Sequence, residues 1–202
     1  VTAKTAGKLN IGNALATENT TYKLNGDVVV NKDSHLNISG QAEITDSVSL
    51  NDANINVNKG ALKTADLSVT GNSQLIGAVN ADKLNAVAGA TLAIGNKDGV
   101  GKLTVETADL NGGMVFLDPA WNNGIEGASG LAVKDVTSGL NGAYVAGQNS
   151  KLSFGADLAA ADAAFARSGE TWSNSGVTAG AYVDSTVDVA NGSITVDGSL
   201  TT

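Results

Sequence analysis

Few side chains in this sequence are of the kinds that do chemistry. The single histidine, His35, follows Asp33 and Ser34. A nucleophilic triad holds its imidazole between a hydroxyl and a carboxylate, and adjacency in sequence does not supply that geometry. His35 therefore reads as a solvent-facing corner residue just before an apolar triplet. Two carboxylate pairs, Asp27 with Asp46 and Asp109 with Asp118, have the residue types that glycoside cleavage needs, two acids roughly 5 to 9.5 Å apart across a groove. The long β-helix face lacks aromatic platforms for a sugar, since Tyr22 is the only aromatic before residue 116. Solvated turn acids account for these positions.

Metal and phosphate chemistry find equally little. Asn31-Lys32-Asp33 and Asn96-Lys97-Asp98-Gly99 offer turn oxygens, but neither matches a nonapeptide calcium repeat or a twelve-residue calcium loop. Gly99-Val100-Gly101 does not open a helix, so no phosphate cradle is indicated. Cysteine is absent, which rules out thiolate metal sites and a disulfide framework. The sequence thus implies no catalytic residue, no bound metal and no cofactor, and it reads as non-enzymatic. A carbohydrate-active enzyme built around the acids above is the remaining catalytic alternative.

The elements that position these residues are short and repeated. Apolar-polar-apolar triplets recur with a period of about 19 residues, each followed by Gly, Asn, Asp or Ser. One series starts at Leu9, Val28, Val48, Leu67, Leu84 and Leu103, and a second at Leu36, Ile55, Leu75 and Leu92. A fainter third runs through Ile44, Leu62 and Val79. Interleaved series sharing one period are a repeat, too short for helical hairpins of roughly 33 to 47 residues. They suit one coil of a β-solenoid. In each triplet the outer residues face one way and the middle one the other. Stacking at about 4.8 Å joins the outer pairs into aliphatic columns, and Gly and Asn between triplets supply the positive φ that corners require. A β-sandwich also places strands every 8 to 12 residues or so, though its strands are longer and less evenly spaced.

Composition agrees with a narrow solenoid. The chain has 202 residues, 25 of them Gly, one Pro and only 4% aromatics. Its formal net charge is −8, with 12 Lys plus Arg, which disfavours nucleic acid and insertion at anionic membranes. The terminal Asp197 to Thr202 reads like another coil beginning. That suggests a segment of a longer repetitive protein, with targeting and anchoring parts outside it.

Past Asp109 the pattern loosens and Phe116, Trp121, Tyr144, Phe154, Phe165, Trp172 and Tyr182 all appear. Leu131-Ala132-Val133, Ala143-Tyr144-Val145 and Leu152-Ser153-Phe154 restore the triplet. Asp157 to Arg167 predicts one short helix, with Asp157 as N-cap, Leu158, Ala161 and Phe165 on one face and Gly169 beyond the end. Val187-Asp188-Val189 and Ile194-Thr195-Val196 predict further strands. The expected organisation is therefore β-helix coils over residues 1–155, then a short helix and more strand-like coils over 156–202.

Lys102 to Val105, Ala108 to Trp121 and Gly147 to Gly155 resemble the C-terminal passenger region of bacterial autotransporter adhesins, the group of antigen-43-like and diffuse-adherence-type proteins. The likeness lies mainly in the second half, and the barrel that follows such passengers is not in this sequence. The resemblance implies an all-β, right-handed parallel β-helix, export through the outer membrane by a C-terminal barrel, and display at the bacterial cell surface. It also implies autochaperone-like late coils, here residues 103–155.

With no catalytic constellation, attention moves to the outward middle residues. Asn10, Val29, Ser49, Ser68, Asn85 and Thr104 follow from the first series, and Asn37, Asn56, Ile76 and Ala93 from the second. Stacked, they form files of small donors and acceptors. Such files stabilise a solenoid as same-residue ladders, or bind another surface collectively. The candidate contact residues are Asn37, Asn56, Ser68, Asn85 and Thr104. Their partner would be a second passenger or a host glycan or matrix protein. The functional expectation is adhesion, autoaggregation or biofilm formation. A stalk and autochaperone segment is the alternative.

Overall fold

The computed structural model describes residues 1–117, 129–135, 138–139, 141–154, 165–172, 183–190 and 193–200. Among these the chain is all-β, with parallel strands stacked as a solenoid of about five turns and no helix. Each turn has three sides. The first side stacks β2 (Lys8–Ile11) on residues 35–38 of β5 (His35–Asn51), then 54–57 of β6 (Asn54–Thr70) and 72–75 of β7 (Asn72–Ala86). It continues through β8 (Thr91–Ile94), β10 (Met114–Leu117) and the start of β12 (Ala143–Phe154).

The second side carries β3 (Thr21–Leu24), residues 41–44, 61–64 and 78–81, then β9 (Gly101–Asp109), β11 (Gly130–Val133) and the end of β12. The third runs from β1 (Thr2–Ala3) through β4 (Val28–Val30) to 48–50, 67–69 and 84–85.

One aliphatic core fills the triangle. Leu36, Ile55 and Leu75 stack on the first side, Ala42, Leu62 and Val79 on the second, Val48, Leu67 and Leu84 on the third. All nine are buried and belong to a single cluster. Burying each large aliphatic contributes roughly 1.5 to 3 kcal/mol, so the columns rather than any one triplet stabilise the coil. Corners turn on left-handed backbone. Asp33 and Asp52 adopt φ of 59° and 50° at successive coils, and the Asp33 N–H donates to the Asp52 carbonyl at 3.0 Å. At another corner Gly60 has φ 73°, and a Cβ there would lie 2.2 Å from the Gly40 carbonyl oxygen, so only glycine fits.

Three expectations need correction. Leu9 stacks on Leu36 and Leu103 on Val79, so neither belongs with Val28 and Val48. Likewise Ile94 rather than Leu92 meets Leu75, and Ile44 faces Thr64 rather than Leu62. For Leu9 and Leu103 the cause is unequal coils: the residues between β2 and β3, and between β8 and β9, lengthen one corner, so a fixed period lands on the wrong side. For Leu92 and Ile44 the offset is two residues along the same side. Phe165–Arg167, the end of the expected helix, open β13 (Phe165–Trp172), which pairs antiparallel with β12. A lone helix that short is marginal in water, whereas the edge of β12 offers backbone partners. Residues 157–164 lie outside the described set. Finally, β14 (Val183–Ala190) and β15 (Ser193–Leu200) contain the two late triplets but pair antiparallel with each other, not as stacked coils. Asn191-Gly192, the dipeptide that two-residue hairpins favour, separates them in sequence.

Candidate functional site

The outward residues fall on four separate rows. On the first side Asn10, Asn37, Asn56 and Ile76 are in register. Their amides form a directional ladder: Asn56 Nδ2 donates to Asn37 Oδ1 at 3.0 Å, and Asn37 Nδ2 donates to Asn10 Oδ1 at 2.8 Å. The equal step of the coils brings like side chains within hydrogen-bond reach. Asn56 Nδ2 also lies 3.3 Å from His35 Nδ1. His35 heads no triad. Ser34 is fully buried, its hydroxyl accepting from the Gly7 N–H at 3.0 Å and donating to the Lys4 carbonyl. His35 itself sits half-buried in a second outward row with Lys8, Asn54, Gln74 and Ala93.

Ser68 and Asn85 lie on the third side with Val29 and Ser49. Thr104 lies on the second side, in the row Lys23, Glu43, Lys63, Asn80, Thr104 and Ala132. The structure therefore brings Asn37 and Asn56 together and separates both from Ser68, Asn85 and Thr104. Beyond Thr104 the row is closed, because Ala132 is fully buried.

Of the candidate carboxylates, Asp27 and Asp109 accept from neighbouring donors, while Asp46 contributes, among the described residues, only its backbone carbonyl, to the Thr64 hydroxyl at 3.0 Å. Asp27 Oδ1 accepts from the Ser47 hydroxyl at 2.6 Å and the Ser47 N–H at 3.1 Å. Those two bonds, the hydroxyl first, hold its carboxyl below the usual value of 3.8. Asp109 accepts from Asn141 Nδ2 at 2.6 Å, and Asp118 lies outside the described residues. Asp98 pairs with Lys97 at 2.7 Å. Among the described residues no three carboxylate or imidazole groups converge to hold a metal.

One concavity escaped the pattern of triplets. On the second side a groove of about 430 Å³ is lined by Thr21, Tyr22, Lys23, Gln41, Ala42, Glu43 and Lys63. Lys23 and Glu43 pair at 3.5 Å, while Lys63, next in the row, makes no ion pair among the described residues. The signal was present in the sequence as alternating charge at positions 23, 43 and 63, spaced at the coil period.

These features define a class: a β-solenoid with small polar ladders on its outer rows and, on the second side, a short run of alternating charge. No protein-family model matches the chain, nor does any curated protein or solved structure.

Proposed function

We propose that this chain is a non-enzymatic segment of a bacterial surface adhesin, promoting attachment, autoaggregation or biofilm formation through the polar sides of its solenoid. Its place is the cell surface, with export and anchoring by parts outside this sequence. The supporting observation is the in-register Asn10–Asn37–Asn56 row, a flat file of amides on a rigid side. Weak contacts on such a face multiply when many copies are displayed.

The test places alternating charges on that row: Asn10→Asp, Asn37→Lys and Asn56→Asp together, so that neighbouring charges attract and the coil is retained. Cells displaying this variant are expected not to clump. A matched variant of the third side, Ser49→Asp, Ser68→Lys and Asn85→Asp, asks whether that side contributes. Normal clumping by both variants, with circular dichroism unchanged, overturns the reading.

A second reading is a stalk and autochaperone segment. It is favoured by the fact that the asparagine amides bond one another within the chain. On that reading, deleting residues 103–155 abolishes surface display of the passenger, and intact display counts against it.

A further inference from the structure

We infer that the groove on the second side binds a saccharide unit carrying a single anionic group, a carboxylate or a sulfate. This goes beyond the adhesive reading, and it stands or falls separately from the asparagine row, which is on another side.

The charge pattern argues for an anion. The whole chain carries −8, yet Lys23, Glu43 and Lys63 stack in register across three coils and leave one positive charge over. Lys23 and Glu43 are engaged with each other; Lys63 is exposed and is the cation with no partner in the groove. An anion bound there meets a local positive field within one Debye length, about 8 Å at physiological salt. A densely charged polymer extends well past that range and is repelled by the acidic remainder of the surface. The fit is therefore to one anionic group on an otherwise neutral ligand.

The lining argues for a sugar. Gln41 and Thr21 each donate and accept, Glu43 accepts, and Lys63 donates. Hydroxyl groups of a saccharide do both, so this mixture can satisfy a polyol better than an apolar ligand. Successive coils present these groups at about 4.8 Å, close to the length of one pyranose unit. The volume, about 430 Å³, lies in the range of small-ligand sites, and its shallow form suits a unit within a longer glycan.

The experiment titrates the intact 202-residue protein with three probes and follows backbone amide shifts by NMR. They are an oligosaccharide ending in one hexuronic acid, the same oligosaccharide with that carboxyl reduced to an alcohol, and its monosulfated counterpart. Shifts confined to residues 21–23, 41–43 and 63 are expected with the acid or the sulfated probe; which of them binds more tightly identifies the source of the anion. The reduced probe is expected to bind at least tenfold more weakly. Lys63→Gln is expected to weaken binding about tenfold, and Glu43→Gln to strengthen it, because the competing carboxylate is gone. A merely structural role for Glu43 predicts no gain. Lys97→Gln makes the same charge change outside the groove and serves as the control. Equal binding of the reduced probe, equal loss in Lys97→Gln, or no groove shifts with either anionic probe at 10-fold excess over about 1 mM protein overturns the proposal.

Discussion

Asn56 donates its side-chain amide to the Oδ1 of Asn37 one coil away, at 3.0 Å. The same geometry recurs between Asn37 and Asn10, so Asn37 is the one member that both donates to and accepts from an asparagine. Replacing it by Asp keeps the acceptor for Asn56 but removes the donor to Asn10. A net hydrogen bond is worth roughly 0.5 to 1.5 kcal/mol. Asn37→Asp is expected to lower stability by about 1 kcal/mol in urea unfolding, and Asn37→Leu by about twice that, because two bonds are lost. Equal effects from the two variants would show that the ladder does not contribute as a donor–acceptor chain.

Corner backbone separates strain from crowding. Gly60 and Gly89 have φ of 73° and 81°, so alanine at either costs about 1 to 2 kcal/mol for the left-handed conformation. At Gly89 nothing lies within 4 Å of a new Cβ, whereas at Gly60 the Gly40 carbonyl oxygen lies 2.2 Å away. Gly60→Ala is expected to cost clearly more than Gly89→Ala in thermal melts; the same loss at both positions contradicts the tight stacking of that corner.

Leu62 lies at the centre of the second-side column, fully buried between Ala42 and Val79. The column has no side chain free to refill a void, since its neighbours are fixed by strand register. Leu62→Ala is expected to cost about 2 to 5 kcal/mol, measured by urea unfolding, while exposed Lys63→Ala should stay within about 0.5 kcal/mol.

Asp27 sets an acid limit. Its carboxyl is depressed below 3.8, first by the Ser47 hydroxyl and then by the Ser47 N–H. A depressed folded-state value means that its contribution is present above the unfolded value and is lost as pH falls through the folded one. Stability from this contact therefore declines below pH 3.8. In Ser47→Ala the Asp27 carboxyl should titrate nearer its ordinary value by carbon-detected NMR. An unchanged titration removes the Ser47 hydroxyl as the main cause and leaves the Ser47 N–H.

Tyr144 sets the alkaline one. It is 2% exposed and its hydroxyl donates to the Gly139 carbonyl at 2.7 Å; burial pushes the phenol well above its usual 10. The folded state holds this proton after the unfolded state has lost it, so stability falls as pH rises above 10. Ultraviolet titration is expected to show a phenol that ionises only on unfolding, and Tyr144→Phe is expected to abolish that step.

The sequence by itself carried the coil. Alternation within Leu36-Asn37-Ile38 and Leu67-Ser68-Val69 fixes which side chains turn inward, and the common spacing fixes that coils stack, because both follow from strand pleat and a constant step. It also placed Asn37 beside Asn56. It likewise placed Ser49, Ser68 and Asn85 in one row; where Asn10, Ala93 and Thr104 fall was decided only by the tertiary structure. A lengthened corner puts the residues after it out of step with a fixed period, so Leu103 meets Val79 rather than Leu84, and Thr104 leaves the serine row for the lysine–glutamate one. Period counting assumes equal coils, and it fails wherever a corner lengthens. The groove shared by Lys23, Glu43 and Lys63 arises the same way, from residues about 20 apart that only stacking makes neighbours.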